Sequence, residues 1–456
     1  MSLASEIRAR TLHRKSATDL SDQILRSKPA PKISTKSQHL MATILFAWEL
    51  GGDYGHLSRL LPVALELARR GHTPVFAVRD LMGAEAILAP HQIRVFQAPL
   101  WIGQVTNLPE PISYAEMLMR FGFLNARALT GIWRAWRHLV DAVKPDLLVL
   151  DHAPTALLAT RGLALPRINF GDGFCIPPTA RPMPHFRWWQ RENTARLADS
   201  EQHALATANA VLLTLNAPPM LALADLMACN DSVMCTFAEM DHYESNSGSS
   251  SDPTQASEAR HVAPGGRNPQ DYVGPIFSLG QGADVVWAPT GGPKVFAYLK
   301  GGYAGLENIL TALHGLQASV VVHVAGVARQ TVQRFTSPRM VVSAEPLSMA
   351  QASAGCDLAL CHGGGGTTAA MLLAGKPLML FPMHMEQTMT ARRLMALGVA
   401  SSVTPEATAQ LPRLLKKMLV DASLGESARK FAQSHAGYDQ QATIRHAADR
   451  CEAQLR

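Results

Sequence analysis

The sequence predicts an α/β protein built from two doubly wound domains that face each other across a cleft. Three observations lead there. The chain has 456 residues, more than one hydrophobic core usually supports. From Met41 onward, short apolar runs alternate with segments of helical periodicity, the pattern of parallel βαβ units. One polar stretch, residues 244–253, interrupts that alternation, which resumes after Tyr272-Val273-Gly274-Pro275.

Residues 1–40 are basic and polar, with the tract Lys28-Pro29-Ala30-Pro31-Lys32, and are expected to be a disordered arm. Residues 44–47 read as a buried strand. Leu57, Leu60, Leu61, Ala64, Leu65 and Ala68 then recur at helical spacing, and Arg69-Arg70-Gly71 supplies a cationic end and a stop. Because Pro62 belongs in a first turn, the regular helix is expected to begin near Leu60. Residues 74–78, 93–97, 147–150 and 212–215 read as further strands, the third ending at Asp151. In the second half, residues 294–299, 319–323, 340–342, 358–361 and 378–381 read as strands. The expected divisions are an arm at 1–40, a first domain at 41–240, a flexible linker at 241–271, a second domain at 272–425 and a closing segment at 426–456.

Hydrophobic residues make up 47% and charged residues 17%, which suits a globular protein with a large core. No run approaches the ~20 apolar residues of a membrane span, and the start lacks the apolar region of a secretory signal, so a cytoplasmic location is expected. The net charge of +6 is compatible with an anionic ligand or peripheral contact with an anionic membrane. The lysines and arginines form no dense stripe, so nucleic acid is not an expected partner. Six cysteines show no C-x-x-C pairing, so reduced, mostly buried thiols are expected, and no metal. Cys361 and His362, adjacent at a strand end, cannot both face one ion.

Leu358-Ala359-Leu360-Cys361 runs into His362-Gly363-Gly364-Gly365-Gly366-Thr367-Thr368, and a helical segment follows. Glycines let a ligand approach the backbone, and free N–H groups with the helix dipole favour an anion there. A tight strand-to-helix crossing is the competing explanation. The turn lacks the lysine of a P-loop and the spacing of a dinucleotide site. Together with Ala374-Gly375-Lys376-Pro377, Phe381-Pro382, Glu386-Gln387, Ala391-Arg392-Arg393 and Leu397-Gly398-Val399, this stretch resembles the donor-binding signature of family 1 glycosyltransferases. These are UDP-glycosyltransferase-like enzymes of the GT-B fold, including bacterial macrolide-type members. The resemblance spans most of the C-terminal half.

It implies that His362 and the backbone of Gly364, Gly365, Gly366 and Thr367 hold the donor diphosphate. It also implies that Glu386 and Gln387, standing where an Asp-Gln pair is usual, bind the donor sugar. Ala370 replaces the ribose-binding glutamate of many plant members. The segment Ser343-Ala344-Glu345-Pro346 lacks their base-stacking tryptophan. These departures leave the nucleotide open between UDP and dTDP. A closing C-terminal helix around residues 427–451 is implied to pack back on the first domain.

In the first half, Gly51-Gly52-Asp53-Tyr54-Gly55-His56 again joins a strand to a helix. Gly55-His56, Pro62, Ala64, Leu67 and Arg70-Gly71-His72 resemble the family segment that supplies the catalytic base. An imidazole suits the removal of a hydroxyl proton. Asp151, at its strand end, is the candidate carboxylate to orient His56, with Asp53 and Glu49 as rivals. His72, His91, His138 and His152 read as surface or core-edge residues. Trp101, Phe121, Phe123, Trp133, Trp136, Phe174, Phe186, Trp188 and Trp189 could line an apolar acceptor pocket or be core.

The function expected is an inverting, metal-independent transfer of a sugar from a nucleotide diphosphate to a hydroxyl of a small, lipophilic or lipid acceptor. No bound cofactor is expected beyond the nucleotide-sugar as co-substrate. The alternatives are an epimerase or hydrolase on the same scaffold, and a non-catalytic sugar-nucleotide or lipid-binding protein.

Overall fold

The computed structural model describes residues 41–52, 54–191, 193–243, 267–277, 282–289 and 291–455. The basic arm and most of the expected linker lie outside them. Across the linker's described ends, Arg267 pairs with Asp241 at 2.8 Å.

Residues 41–456 form one compact unit holding two six-stranded parallel sheets. The first contains β1 (Thr43–Trp48), β2 (Thr73–Val78), β3 (Arg94–Gln97), β4 (Leu147–Asp151), β5 (Arg167–Gly171) and β6 (Asp231–Met234), in the order β3-β2-β1-β4-β5-β6. The second contains β7 (Lys294–Lys300), β8 (Ser319–Ala325), β9 (Met340–Ser343), β10 (Leu358–Cys361), β11 (Leu378–Leu380) and β12 (Ala400–Ser402), in the order β12-β11-β10-β7-β8-β9. Both are doubly wound with the same order, so each has a topological switch point, between β1 and β4 and between β7 and β10. At such points the chain leaves neighbouring strands toward opposite faces and opens a crevice at their carboxyl ends.

The strands are nearly continuous apolar runs because helices cover both sheet faces. Two expectations fail in the first domain. Residues 212–215 are not a strand: they lie at the end of the helix Thr194–Thr214, a short apolar run that does not reveal its period by itself. The strands taking that side of the sheet are β5, which carries the polar Asn169, and β6. The helix after β1 starts at Gly55, not near Leu60, and runs to Arg69 with Pro62 inside it. There the Ser58 carbonyl loses its usual donor, and the apolar face of Leu57, Leu60, Val63, Ala64 and Leu67 keeps the helix in place.

The last helix, Gln440–Ala453, buries Ile444, Ala447, Ala448 and Cys451 against that same face. Arg70 pairs with Glu452 at 2.8 Å, and Arg450 pairs with Asp231. All six cysteines are free; five are buried and Cys229 is half-buried. Among the described residues, no helix is long and apolar enough to cross a membrane.

Candidate active site

A cleft of ≈1630 Å³ is lined by residues from the carboxyl ends of both sheets. On the first sheet, β1 and β4 pair with Trp48 opposite Asp151, so the loop after β1 starts level with that carboxylate. His56, the second residue of the helix Gly55–Arg69, brings Nδ1 to 3.0 Å from Asp151 Oδ1 and stacks its ring on Trp48. Asp151 is fully buried. Of its rivals, Asp53 lies outside the described residues. Glu49 is turned away, accepting the amides of Thr155 at 2.9 Å and Ala156 at 3.4 Å. Burial pushes the Glu49 carboxyl up to about 8.

Arg59, missed by the sequence reading, organises this end of the cleft. Its Nε donates to Asp151 Oδ2 at 2.7 Å, its Nη2 to Asp151 Oδ1 at 3.1 Å, and its Nη1 to Asp172 Oδ2 at 2.7 Å. Burial alone would raise the Asp151 carboxyl, but Arg59 and then His56 hold it below the usual carboxylate range. Burial likewise opposes ionisation of Asp172, and Arg59 with His242 holds that carboxyl well down. One buried guanidinium thus pairs with both buried carboxylates, and paired, hydrogen-bonded charges are the kind that persist in an interior.

The His56 Nδ1 also lies 2.9 Å from Arg59 Nη2. Arg59 already donates to Asp151, and its Nη2 reaches Cys175 Sγ at 3.5 Å. The assignment that gives each donor an acceptor therefore has Nδ1–H donating to Asp151, leaving the lone pair on Nε2. Nε2 lies over Gly51, where a β-carbon would come within 2.2 Å of it.

Arg59 was visible in principle, as a cation on the apolar stripe one helical turn after His56. Asp172 was visible as an acid between two glycines, had β5 been read as a strand. Of the histidines read as surface or core-edge, His152 and His72 are both buried, His152 near the His56 ring at 6.1 Å between centroids and His72 bonded to Glu452. Burial, then the proximity of His56, pushes His152 down to about 3. Phe121, Phe174 and Phe186 line the cleft, whereas Trp133 and Trp136 belong to the core.

On the second sheet, Gly363 has φ +93°, and a β-carbon there would meet the Gln387 carbonyl at 3.3 Å. Only glycine turns the chain this way without strain. Gly364 caps the helix Gly365–Leu373, whose N-terminus opens into the cleft with Gly365, Gly366 and Thr367. His362 is tied to the backbone: Nδ1 donates to the Phe381 carbonyl at 2.7 Å, and Nε2 accepts the Lys300 amide at 3.0 Å. It thereby joins β10 to the ends of β7 and β11. Glu386 and Gln387 begin the helix Met385–Ala396 and both line the cleft, Gln387 Oε1 accepting the Met383 amide at 2.8 Å.

The two halves meet where Asp172, His242 and Glu386 each bring a donor or acceptor atom within 4.8 Å of the others. Burial and then the Asp172 charge push the Glu386 carboxyl up to about 7. His56, Asp151 and Cys175 make a second such cluster, but there Arg59 already supplies the cation and burial keeps the Cys175 thiol protonated.

This arrangement can be set beside known proteins. A solved structure described as the glycotransferase of kitacinnamycin covers 91% of this chain and 100% of its own, with a TM-score of 0.63 at 19% identity. The calicheamicin glycosyltransferase CalG4 covers 91% and 98%, with a TM-score of 0.62 at 18% identity. The chain is a GT-B protein. The spinosyn rhamnosyltransferase SpnG, solved with thymidine diphosphate, shares this GT-B fold with a TM-score of 0.60 at 16% identity, covering 89% of this chain and 100% of its own. Residues 307–448, a stretch that holds β8 to β12 but not β7 and runs into the last helix, match the family described as erythromycin biosynthesis protein CIII-like, C-terminal domain. A "PGL/p-HBAD biosynthesis glycosyltransferase" of Mycobacterium tuberculosis (strain ATCC 25177 / H37Ra) is 24% identical over 330 residues, 68% of this chain and 72% of the relative.

Proposed function

We propose that this GT-B protein is an inverting glycosyltransferase that moves a sugar from UDP or dTDP to a hydroxyl of a small, lipophilic acceptor. The observation that carries the reading is the His56–Asp151 pair at 3.0 Å, set at one switch point and sharing a cleft with the open helix N-terminus of Gly364, Gly365, Gly366 and Thr367 at the other.

In this mechanism His56 Nε2 takes the proton of the acceptor hydroxyl while the hydroxyl oxygen attacks the anomeric carbon. The bond from that carbon to the diphosphate breaks on the opposite face, which inverts the centre. Asp151 holds the ring and stabilises the imidazolium that forms. The diphosphate leaves with the electron pair, and its growing charge meets the amides of the Gly364 turn and the helix dipole. His362, engaged by Phe381 and Lys300, keeps that turn in register. In this mechanism no metal is invoked, since the amides of the Gly364 turn and the helix dipole meet the charge of the leaving diphosphate.

Glu386 and Gln387 bind the sugar. Met117, Phe121, Phe174 and Phe186, which line the same cleft as His56, supply an apolar floor for the acceptor. A thymidine diphosphate complex of a protein of the same fold supports a nucleotide diphosphate as ligand. Calorimetric titration with UDP- and dTDP-sugars, followed by transfer assays on lipophilic alcohols and phenols, tests the reading. Donor binding with acceptor-dependent release of diphosphate is expected. Donor turnover at the same rate without acceptor would point to a hydrolase or epimerase instead.

A further inference from the structure

The Asp172, His242 and Glu386 cluster joins three separate parts of the chain at the mouth between the domains. Asp172 follows β5, His242 lies beyond β6, and Glu386 opens a helix of the second domain. The hydrogen bonds fix what each can offer. The Phe174 amide donates to His242 Nδ1 at 3.1 Å, so the His242 proton sits on Nε2 and points to Thr390 Oγ1, also at 3.1 Å. Thr390 in turn donates to the Glu386 carbonyl at 3.1 Å. The His242 ring is thus fastened across the domains. Asp172 takes Arg59 on one oxygen and the amides of Phe174 and Cys175 on the other, which fixes it as a carboxylate.

Charge balance then bears on Glu386. The ionisable groups around it are Asp172, His242, Arg59 and, behind Arg59, Asp151. His384 precedes it on its own helix, and His56 lines the same cleft. Arg59 is one cation already shared by two carboxylates, so a third negative charge would add to an existing excess. A neutral carboxyl group has an O–H to donate, whereas its carboxylate neighbour can only accept. A hydroxyl oxygen bonded at about 2.8 Å on each side bridges two atoms up to about 5 Å apart. The Asp172 and Glu386 oxygens lie within 4.8 Å of each other, inside that span.

We propose that Asp172 of the first domain and Glu386 of the second form one hydroxyl-binding subsite for the transferred sugar, Glu386 donating to a sugar hydroxyl and Asp172 accepting from it, with His242 as the positioning residue that ties the two domains together there. The ligand class is a sugar that keeps this hydroxyl, since a deoxygenated centre would leave the Glu386 O–H without the acceptor that a sugar hydroxyl supplies. The proposal rests on the donor reading above and deepens it.

The experiment is calorimetric titration of the full chain, from pH 6 to 9, with UDP, dTDP and their glucose, galactose, rhamnose and N-acetylglucosamine conjugates. Asp172→Asn and His242→Gln should each weaken the best sugar conjugate about tenfold while leaving the bare diphosphate within about twofold. Glu386→Ala should lose about tenfold, but Glu386→Gln, which keeps a donor, about threefold or less. Affinity of the unaltered protein for the conjugate should fall as pH rises above about 7, where Glu386 ionises, and Glu386→Gln should abolish that fall. His242→Gln lies outside the Arg59 ion network, so it reads the subsite even where Asp172→Asn fails to fold. The proposal is overturned if sugar affinity survives the His242 change, if Glu386→Gln is as impaired as Glu386→Ala, or if no sugar adds affinity over the diphosphate. Failure of the unaltered protein to bind either diphosphate would overturn the donor reading itself.

Discussion

Gly51 stands directly against the His56 imidazole: a β-carbon at position 51 would lie 2.2 Å from Nε2. The nitrogen assigned as base therefore meets the cleft through space that only a missing side chain leaves open. Gly51→Ala should lower kcat at least a hundredfold with an unchanged affinity for UDP or dTDP. Because Gly51 has φ +87°, the variant should also lose about 1–2 kcal/mol of stability. Thermal melts alongside titration separate the two effects. Full turnover in a folded Gly51→Ala protein would mean that chemistry does not pass through Nε2.

Replacing His56 by Ala should reduce transfer about 10²–10⁴-fold, the range of a general base. Diphosphate affinity should remain. Asp151→Asn should produce a loss of similar size, since an amide no longer fixes Nδ1–H. The double variant should be little worse than either alone, because the two residues act as a unit. Additive losses in single-turnover assays would argue against the dyad.

Arg59 tests the counter-ion argument. Arg59→Met leaves Asp151 and Asp172 buried without a cation, which should cost about 3–5 kcal/mol by denaturant melts. Arg59→Lys keeps the charge but cannot reach both carboxylates with a planar fork, so it should be intermediate in stability and activity. Equal stability of all three proteins would refute that role.

Glu49 predicts a pH dependence of folding. Its folded-state value, about 8, lies above the unfolded value of 4.5, so the folded state binds the extra proton between them. Stability from this group is complete below about pH 4.5 and declines as pH rises to about 8, by an amount on the order of a few kcal/mol. Glu49→Gln, which can still accept the Thr155 amide, should flatten the decline and be the more stable protein at pH 9. Parallel melting curves for both proteins across that range would expose the error.

Much of this was legible from local pattern. The apolar runs of β1, β4, β7 and β10 are short and bounded by turn residues, and burial on both faces makes such strands uniformly apolar. The Gly364 turn was legible because a strand, glycines and a helix follow one another without interruption. β5 was not, since Arg167 and Asn169 break its apolar run, and with it went Asp172. The run at 212–215 was misread because a few consecutive apolar residues fit a buried helix end as well as a strand.

The sequence by itself determined the two doubly wound halves and the two turns that face the cleft, because those depend on residues adjacent in the chain. It named both His56 and Asp151, with Glu49 and Asp53 as rivals to Asp151. Only the tertiary structure decided that Asp151, 95 residues away, meets the ring, that Glu49 turns inward, and that His362 binds backbone. Only it placed Arg59 between two acids and brought Asp172, His242 and Glu386 together. The reason is physical: the register of parallel strands sets which strand ends are level, and burial sets which charges must find partners. Neither is a property of any short stretch of chain.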